Sequence, residues 1–136
     1  MSGVFADTAF YVAAVSPRDA FHATAREFAA TFQGRIVTTE FVLLEVANFF
    51  NQVSQRGAFV DLMRDLRSTS AGDVVPASAE LFERGFALYS SRPDKEWSLT
   101  DCTSFVVMND FGLTDALAAD RHFGQAGFRA LLQARA

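Results

Sequence analysis

The apolar positions of this chain change period several times between its two ends. Val4 to Ala6 form a short continuous apolar run that closes on Asp7, the pattern of a buried strand, and helical spacing begins at Thr8. SPRDAFHATAREFAATFQG predicts a helix with Ser16 as N-cap and Pro17 at its first position. Phe21, Ala25, Phe28 and Phe32 recur along it, and Gly34 is its expected stop. RIVTT is a short β-branched strand. TEFVLLEVANFFNQVSQ predicts the next helix, capped by Thr39 and ended by Gly57. AFVDLMRDLRSTS sets Phe59, Leu62, Met63 and Leu66 on one helical face, and GDVVPAS reads as a third strand. SAELFERGFALYSSRP is a helix closed by Pro93, and DKEW is a loop. A further helix runs from Ser98 to Gly112, the natural C′ residue. TDALAAD predicts a fourth strand ending at Asp120, and GFRALL offers a fifth. Strands alternating with helices and helix pairs predict an α/β layered fold with a mainly parallel sheet.

Composition narrows this reading. The chain has 136 residues, enough for one domain with a real core, so residues 1–136 are read as a single domain. Half of the residues are hydrophobic, 21% are charged and fifteen are Phe, a globular composition with no sign of disorder. No apolar run approaches the roughly 18 residues of a membrane span. The first ten residues, MSGVFADTAF, carry no basic stretch, so no signal peptide is expected. Cys102 is the single cysteine and cannot form an internal disulfide, which fits a reducing cytoplasm. The net charge of −4 argues against a broad basic surface for duplex binding. It leaves room for a protein that recruits a divalent cation through carboxylates and acts on phosphates.

The acids then become the candidates. Asp7 and Asp120 are each expected at the end of a strand, and ligands of open α/β sheets bind outside those ends. An Asp in such a place is equally a turn former. Glu45 has Phe41, Val42, Phe49 and Gln52 as helical neighbours, so it lies on the apolar stripe or at its margin. Either its stem lies flat with the carboxylate in water, or a bound cation offsets its burial. Asp101 also has two readings. Ser98-Leu99-Thr100-Asp101 has the form of a capping box, and the following Phe105, Val106, Val107 and Met108 look buried. Alternatively Asp101 faces a pocket and holds something positive. Three or four carboxylates without a Cys/His pair suit Mg²⁺ or Mn²⁺ better than zinc.

Four stretches together resemble the PIN-domain family, the metal-dependent ribonucleases that include the VapC toxins of bacterial toxin–antitoxin pairs. They are VFADTAFYVA, TTEFVLLEVANFF, DKEWSLTDCTSFVVM and ALAADRHFGQAGF, and they span nearly the whole chain. None is specific alone; the order and the elements carrying them make the match. The resemblance implies a three-layer α/β/α domain with four to five strands. It implies that Asp7, Glu45, Asp101 and Asp120 bind one or two Mg²⁺ or Mn²⁺ ions for RNA phosphodiester hydrolysis. Asp7 and Asp101 would be the main direct ligands, Asp120 would act through water, and Glu45 would bind metal or orient the nucleophile. The hydroxyls of Thr8 and Thr100 would bond to metal waters, with helix capping the competing role for Thr8. An antitoxin protein and a homodimer are the partners it implies, and the apolar helices FVLLEVANFF and AFVDLMRDL are where either would be buried.

Some residues compete for these places. Glu40 rivals Glu45 but sits in a first turn, where acids favour the helix dipole. Asp115 rivals Asp120 from the opposite sheet edge, and Asp94 follows Pro93 in a loop. Arg121 and His122 directly follow Asp120, so either could reach a substrate phosphate, Arg121 being preferred. His22 is read as a packing or surface residue and Cys102 as a buried structural thiol. Trp97 is read as core or partner surface. Two other functions fit parts of the pattern: a PIN-like binding module without activity, and a receiver-like Mg²⁺-binding regulatory domain. The second wants a Lys at the end of a late strand, and the lone Lys95 lies in a loop.

Overall fold

The computed structural model describes residues 3–69 and 72–132. Its first strand, β1 (Val4–Ala6), is buried at every position, as a strand covered on both faces must be. It is central in a five-stranded sheet of order β3-β2-β1-β4-β5, with β2 at Ile36–Thr39, β3 at Gly72–Val75, β4 at Asp115–Leu117 and β5 at Arg129–Ala130. Every pairing is parallel; Phe5 aligns with Val37 on one side and Ala116 on the other. Helices cover the sheet in a three-layer α/β/α arrangement. They are α1 (Thr8–Val15), α2 (His22–Thr31), α3 (Glu40–Phe49), α4 (Arg56–Ser68), α5 (Ala79–Ser91), α6 (Leu99–Phe111) and α7 (His122–Gln125).

Several expected ends are where the local chemistry demands them. Thr39 caps α3 by accepting the Val42 N–H at 3.1 Å. Gly112 adopts φ +67°, and Leu113 N–H returns to the Met108 carbonyl at 2.8 Å, closing α6 as a Schellman turn. Helix α6 lacks an amphipathic stripe because its residues 101–105, 107 and 108 are all buried. Phe105 packs edge-on against Trp97 and Phe123.

Four expectations are corrected. Ser16 does not open a helix; it closes α1, its N–H bonding to the Val12 carbonyl at 2.9 Å. Asp19 then builds a turn by accepting the Phe21 N–H at 2.9 Å on its side chain, which delays α2 until His22. The helix also stops before Gly34, because Phe32 swings into extended backbone and stacks on Phe28 at 4.6 Å. Gly57 ends nothing and lies in the first turn of α4. The break comes earlier, where buried Phe50 leaves α3 with its N–H shared between the Val46 and Ala47 carbonyls. Finally β4 ends at Leu117, so Asp120 belongs to the loop beyond the strand.

Candidate metal centre

Asp7 follows β1 directly and is the N-cap residue of α1. Its N–H donates to the Leu117 carbonyl at 3.2 Å, fixing it beside the carboxyl end of β4. The side chain is buried, and its Oδ1 has no hydrogen-bond partner among the described residues. An acceptor stranded in this way is costly when ionised. Burial first, and then repulsion from Asp101, Asp120 and Glu45, push the Asp7 carboxyl up to about 8, against an opposing hydrogen bond from the Thr8 backbone.

Asp101 arrives on the first turn of α6. The capping box is real: Ser98 Oγ accepts the Asp101 N–H at 2.9 Å, and Asp101 Oδ2 accepts the Ser98 N–H at 3.1 Å. Asp101 is nonetheless buried, and desolvation raises its carboxyl above the ordinary range despite hydrogen bonds from Ser98 and His122. The capping role therefore does not keep the carboxylate from lying beside other polar side chains. Asp120, in the loop between β4 and α7, accepts the His122 N–H on Oδ1 at 3.0 Å. One ligand atom each from Asp101, Asp120 and His122 lie within 4.8 Å of one another.

Glu45 is exposed near the middle of α3, so it stands at the margin of the apolar stripe. It joins the others through Thr8, whose hydroxyl donates to Glu45 Oε1 at 2.5 Å. The structure thus brings Asp101 and Asp120 together most tightly, with Asp7 close enough to feel the charge of all three other acids. The Thr100 carbonyl receives the Thr103 and Ser104 hydroxyls at 2.7 and 3.1 Å. Arg121 is exposed and pairs with no acid among the described residues.

The rival acids are accounted for elsewhere. Glu40 accepts the Ala77 N–H at 2.7 Å, and Asp115 forms a two-bond pair with Arg129 at 2.8 and 3.0 Å. Asp94 pairs likewise with Arg92, which holds its carboxyl down at about 2. Lys95 also lies by Asp94, at 4.0 Å. His22 opens α2 with Nδ1 2.7 Å from the Ala13 carbonyl, tying α2 to α1. Burial, and then Asp101, push the Cys102 thiol up to about 11, which makes it inert at neutral pH. Trp97 is core, its Nε1 donating to Gln125 Oε1 at 3.1 Å. A cavity of about 680 Å³ opens between α1, α2, α4 and the β2–β3 edge, but none of the four acids lines it.

The donor set fits a hard divalent cation. It is made of carboxylate oxygens, it includes a buried oxygen with nothing to bind, and its charges repel one another in the cation's absence. The contribution that sequence reasoning missed is the His122 ring. Its Nδ1 lies 2.9 Å from Asp101 Oδ2, a contact across 21 positions that no local spacing announces.

Comparison with known proteins extends this geometry. The 23S rRNA-specific endonuclease VapC20 of Mycobacterium tuberculosis, from strains CDC 1551 / Oshkosh and H37Rv, is 31% identical over 125 residues. That alignment covers 92% of this chain and 95% of the relative. The crystal structure of M. tuberculosis VapC20, described as a sarcin-ricin loop cleaving toxin, superposes with a TM-score of 0.84 at 30% identity. It covers 94% of this chain and 98% of that one. The family model for the PIN domain matches residues 4–129, and with these likenesses over nearly its whole length the chain belongs to the PIN-domain family.

Proposed function

We propose that the protein is an endoribonuclease that hydrolyses RNA phosphodiester bonds with Mg²⁺ or Mn²⁺, and that it is the toxin of a bacterial toxin–antitoxin pair. The observation that carries the chemistry is the buried, unpartnered Oδ1 of Asp7, set beside Asp101 and Asp120 at the carboxyl ends of parallel strands. Likeness to the VapC20 toxins supports the substrate class and the biological role. Because those relatives act on 23S rRNA, the sarcin–ricin stem-loop is the first RNA to test.

Asp7 and Asp101 would hold the cation directly. Asp120, more exposed and already bonded to the His122 N–H, would reach it through water. Glu45 accepts from Thr8 and so keeps a free oxygen at the rim, from which it orients the attacking water. The cation, when bound, supplies Lewis acidity to the phosphodiester and lowers the pKa of that water. Arg121, exposed beside Asp120 and without an acid partner among the described residues, would meet a substrate phosphate. Thr8 fixes Glu45, and Thr100 serves the helix start through its carbonyl.

No helix among the described residues is long and apolar enough to cross a membrane; it is the likeness to the VapC20 endonucleases that supports a cytoplasmic site of action. Leu44, Phe49, Val53 and Val60 are exposed on α3, α4 and the link between them, which supports a homodimer or an antitoxin contact there. Cleavage of the stem-loop and of mixed RNA by the purified chain tests the proposal, run with Mg²⁺, Mn²⁺ and EDTA. Cutting that needs metal and vanishes in both Asp7→Asn and Asp101→Asn supports it. Equal cutting by all samples marks a contaminant, and Mn²⁺ binding without cutting of any RNA favours a binding module.

A further inference from the structure

His122 links the two acids at the open side of the site in two ways. Its backbone N–H donates to Asp120 Oδ1 at 3.0 Å, and its ring Nδ1 lies 2.9 Å from Asp101 Oδ2. The distance from Nδ1 to Asp120 Oδ2 is longer, 3.8 Å. The residue is held there by its neighbour: Phe123 is fully buried, with its ring 4.9 Å from that of Phe105 and 6.3 Å from that of Phe5. Helix α7 is therefore pinned to the core, and the imidazole has little freedom to leave Asp101.

An ionised carboxylate has no proton to give, so Nδ1–H is the donor in this pair. Oδ2 of Asp101 then receives two hydrogen bonds, from Ser98 N–H at 3.1 Å and from His122. Two donors on one oxygen stop the carboxylate from rotating and leave Oδ1 as the oxygen for a cation. Resting on the metal-site reading above, we infer that His122 is a positioning residue. It orients Asp101 for the cation through Nδ1 and does not itself coordinate. Partners that hold a ligand in this way commonly contribute tenfold to a hundredfold in metal affinity. The rival role is direct ligation, for which only Nε2 is left once Nδ1 is bonded to Asp101.

The two roles separate by substitution. An Asn amide N–H can occupy the place of Nδ1, whereas a Gln amide reaches the place of Nε2. Mn²⁺ binding would be followed by the loss of the free-ion electron paramagnetic resonance signal for the wild type, His122→Asn, His122→Gln and His122→Leu, with a thermal melt of each in EDTA. The expected result is Mn²⁺ affinity lowered about 10- to 100-fold in His122→Leu and His122→Gln, and restored to within about threefold in His122→Asn. RNA cleavage at saturating Mn²⁺ should then recover in the weak binders, because the effect lies in loading the metal. Rescue by Gln and not by Asn would overturn positioning in favour of ligation. Wild-type affinity in His122→Leu would overturn any role toward the metal while leaving the nuclease reading intact. Failure of the wild type to bind Mn²⁺ would remove both. If His122→Leu melts early, the comparison of Asn with Gln still decides.

Discussion

Strand β4 has an acid at its start and another just past its end, and the two live in opposite circumstances. Asp115 is gripped by Nε and Nη2 of the Arg129 guanidinium, one on each carboxylate oxygen. Asp120 has no arginine or lysine partner among the described residues, and its neighbours in space are His122, Asp101 and the charge of Asp7. The contrast extends across the molecule. Asp73 pairs with Arg35, Asp110 with Arg84, Asp94 with Arg92 and Asp61 with Arg64, all on exposed surface. The four candidate acids pair with no arginine or lysine among the described residues. A fold with so many arginines has the means to neutralise that cluster and does not. The difference teaches that the site keeps an unfavourable charge density, which a cation can relieve.

The sharpest way to break this contrast is to remove charge at the crowded end. Asp7→Asn or Asp101→Asn should lower metal-dependent RNA cleavage by more than about a hundredfold, since a direct ligand should matter more than an outer partner. Single-turnover cleavage at saturating Mn²⁺ measures it. Cleavage within a few-fold of the wild type would show that the crowding serves no metal.

A second effect concerns stability, and its sign is opposite to the usual one for Asp. The Asp7 carboxyl sits at about 8 in the fold against 3.8 ordinarily, so the folded chain holds the extra proton between those values. That contribution to stability is fully present below about pH 4 and is lost as pH rises toward 8. The melting temperature in EDTA should therefore fall from about pH 5 to about pH 8. The fall should be much shallower in Asp7→Asn and should flatten on adding Mn²⁺, which takes the place of the proton. A metal-free protein whose melting temperature rises over that interval would show that Asp7 is ionised and content.

Smaller effects follow at the margins. Thr8→Val leaves Glu45 without its hydroxyl donor and should lower cleavage about tenfold, in keeping with loss of an orienting partner, with little change in melting temperature. The smallest effect belongs to the neutralised end. Asp115→Asn should cost under about 1 kcal/mol in denaturant unfolding and leave cleavage unchanged, because its partner is largely exposed. Loss of activity in that variant would erase the distinction between the two ends of β4.

The sequence made the site more legible than the path of the chain around it. Asp7 and Thr8 were placed by a strand-to-helix switch, and Thr39, Ser98 and Gly112 by capping chemistry that acts within a few residues. Glu45 stood out by its apolar helical neighbours and Asp120 by its expected strand end, each with a bland alternative, and the family resemblance gave them their roles. What stayed hidden depends on longer-range contacts or on competing turns. Ser16 and Pro17 look like a helix start, yet the Asp19 side chain wins that segment for a turn. Gly57 looks like a stop, yet the burial of Phe50 breaks the helix first. His122 looked like a neighbour of the substrate, and its bond to Asp101 emerges only when α7 is packed against α6.

The strand order β3-β2-β1-β4-β5 also sets a timetable during synthesis. Asp7 emerges from a ribosome long before the strand that must lie beside it on one side, β4, which starts only at Asp115. Until that late segment has emerged and slotted in, Asp7 has neither the Leu117 carbonyl nor the Asp120 carboxylate beside it. A message cut short before β4 thus yields a product that carries Asp7, Glu45 and Asp101 but lacks Asp120 and the strand that fixes Asp7.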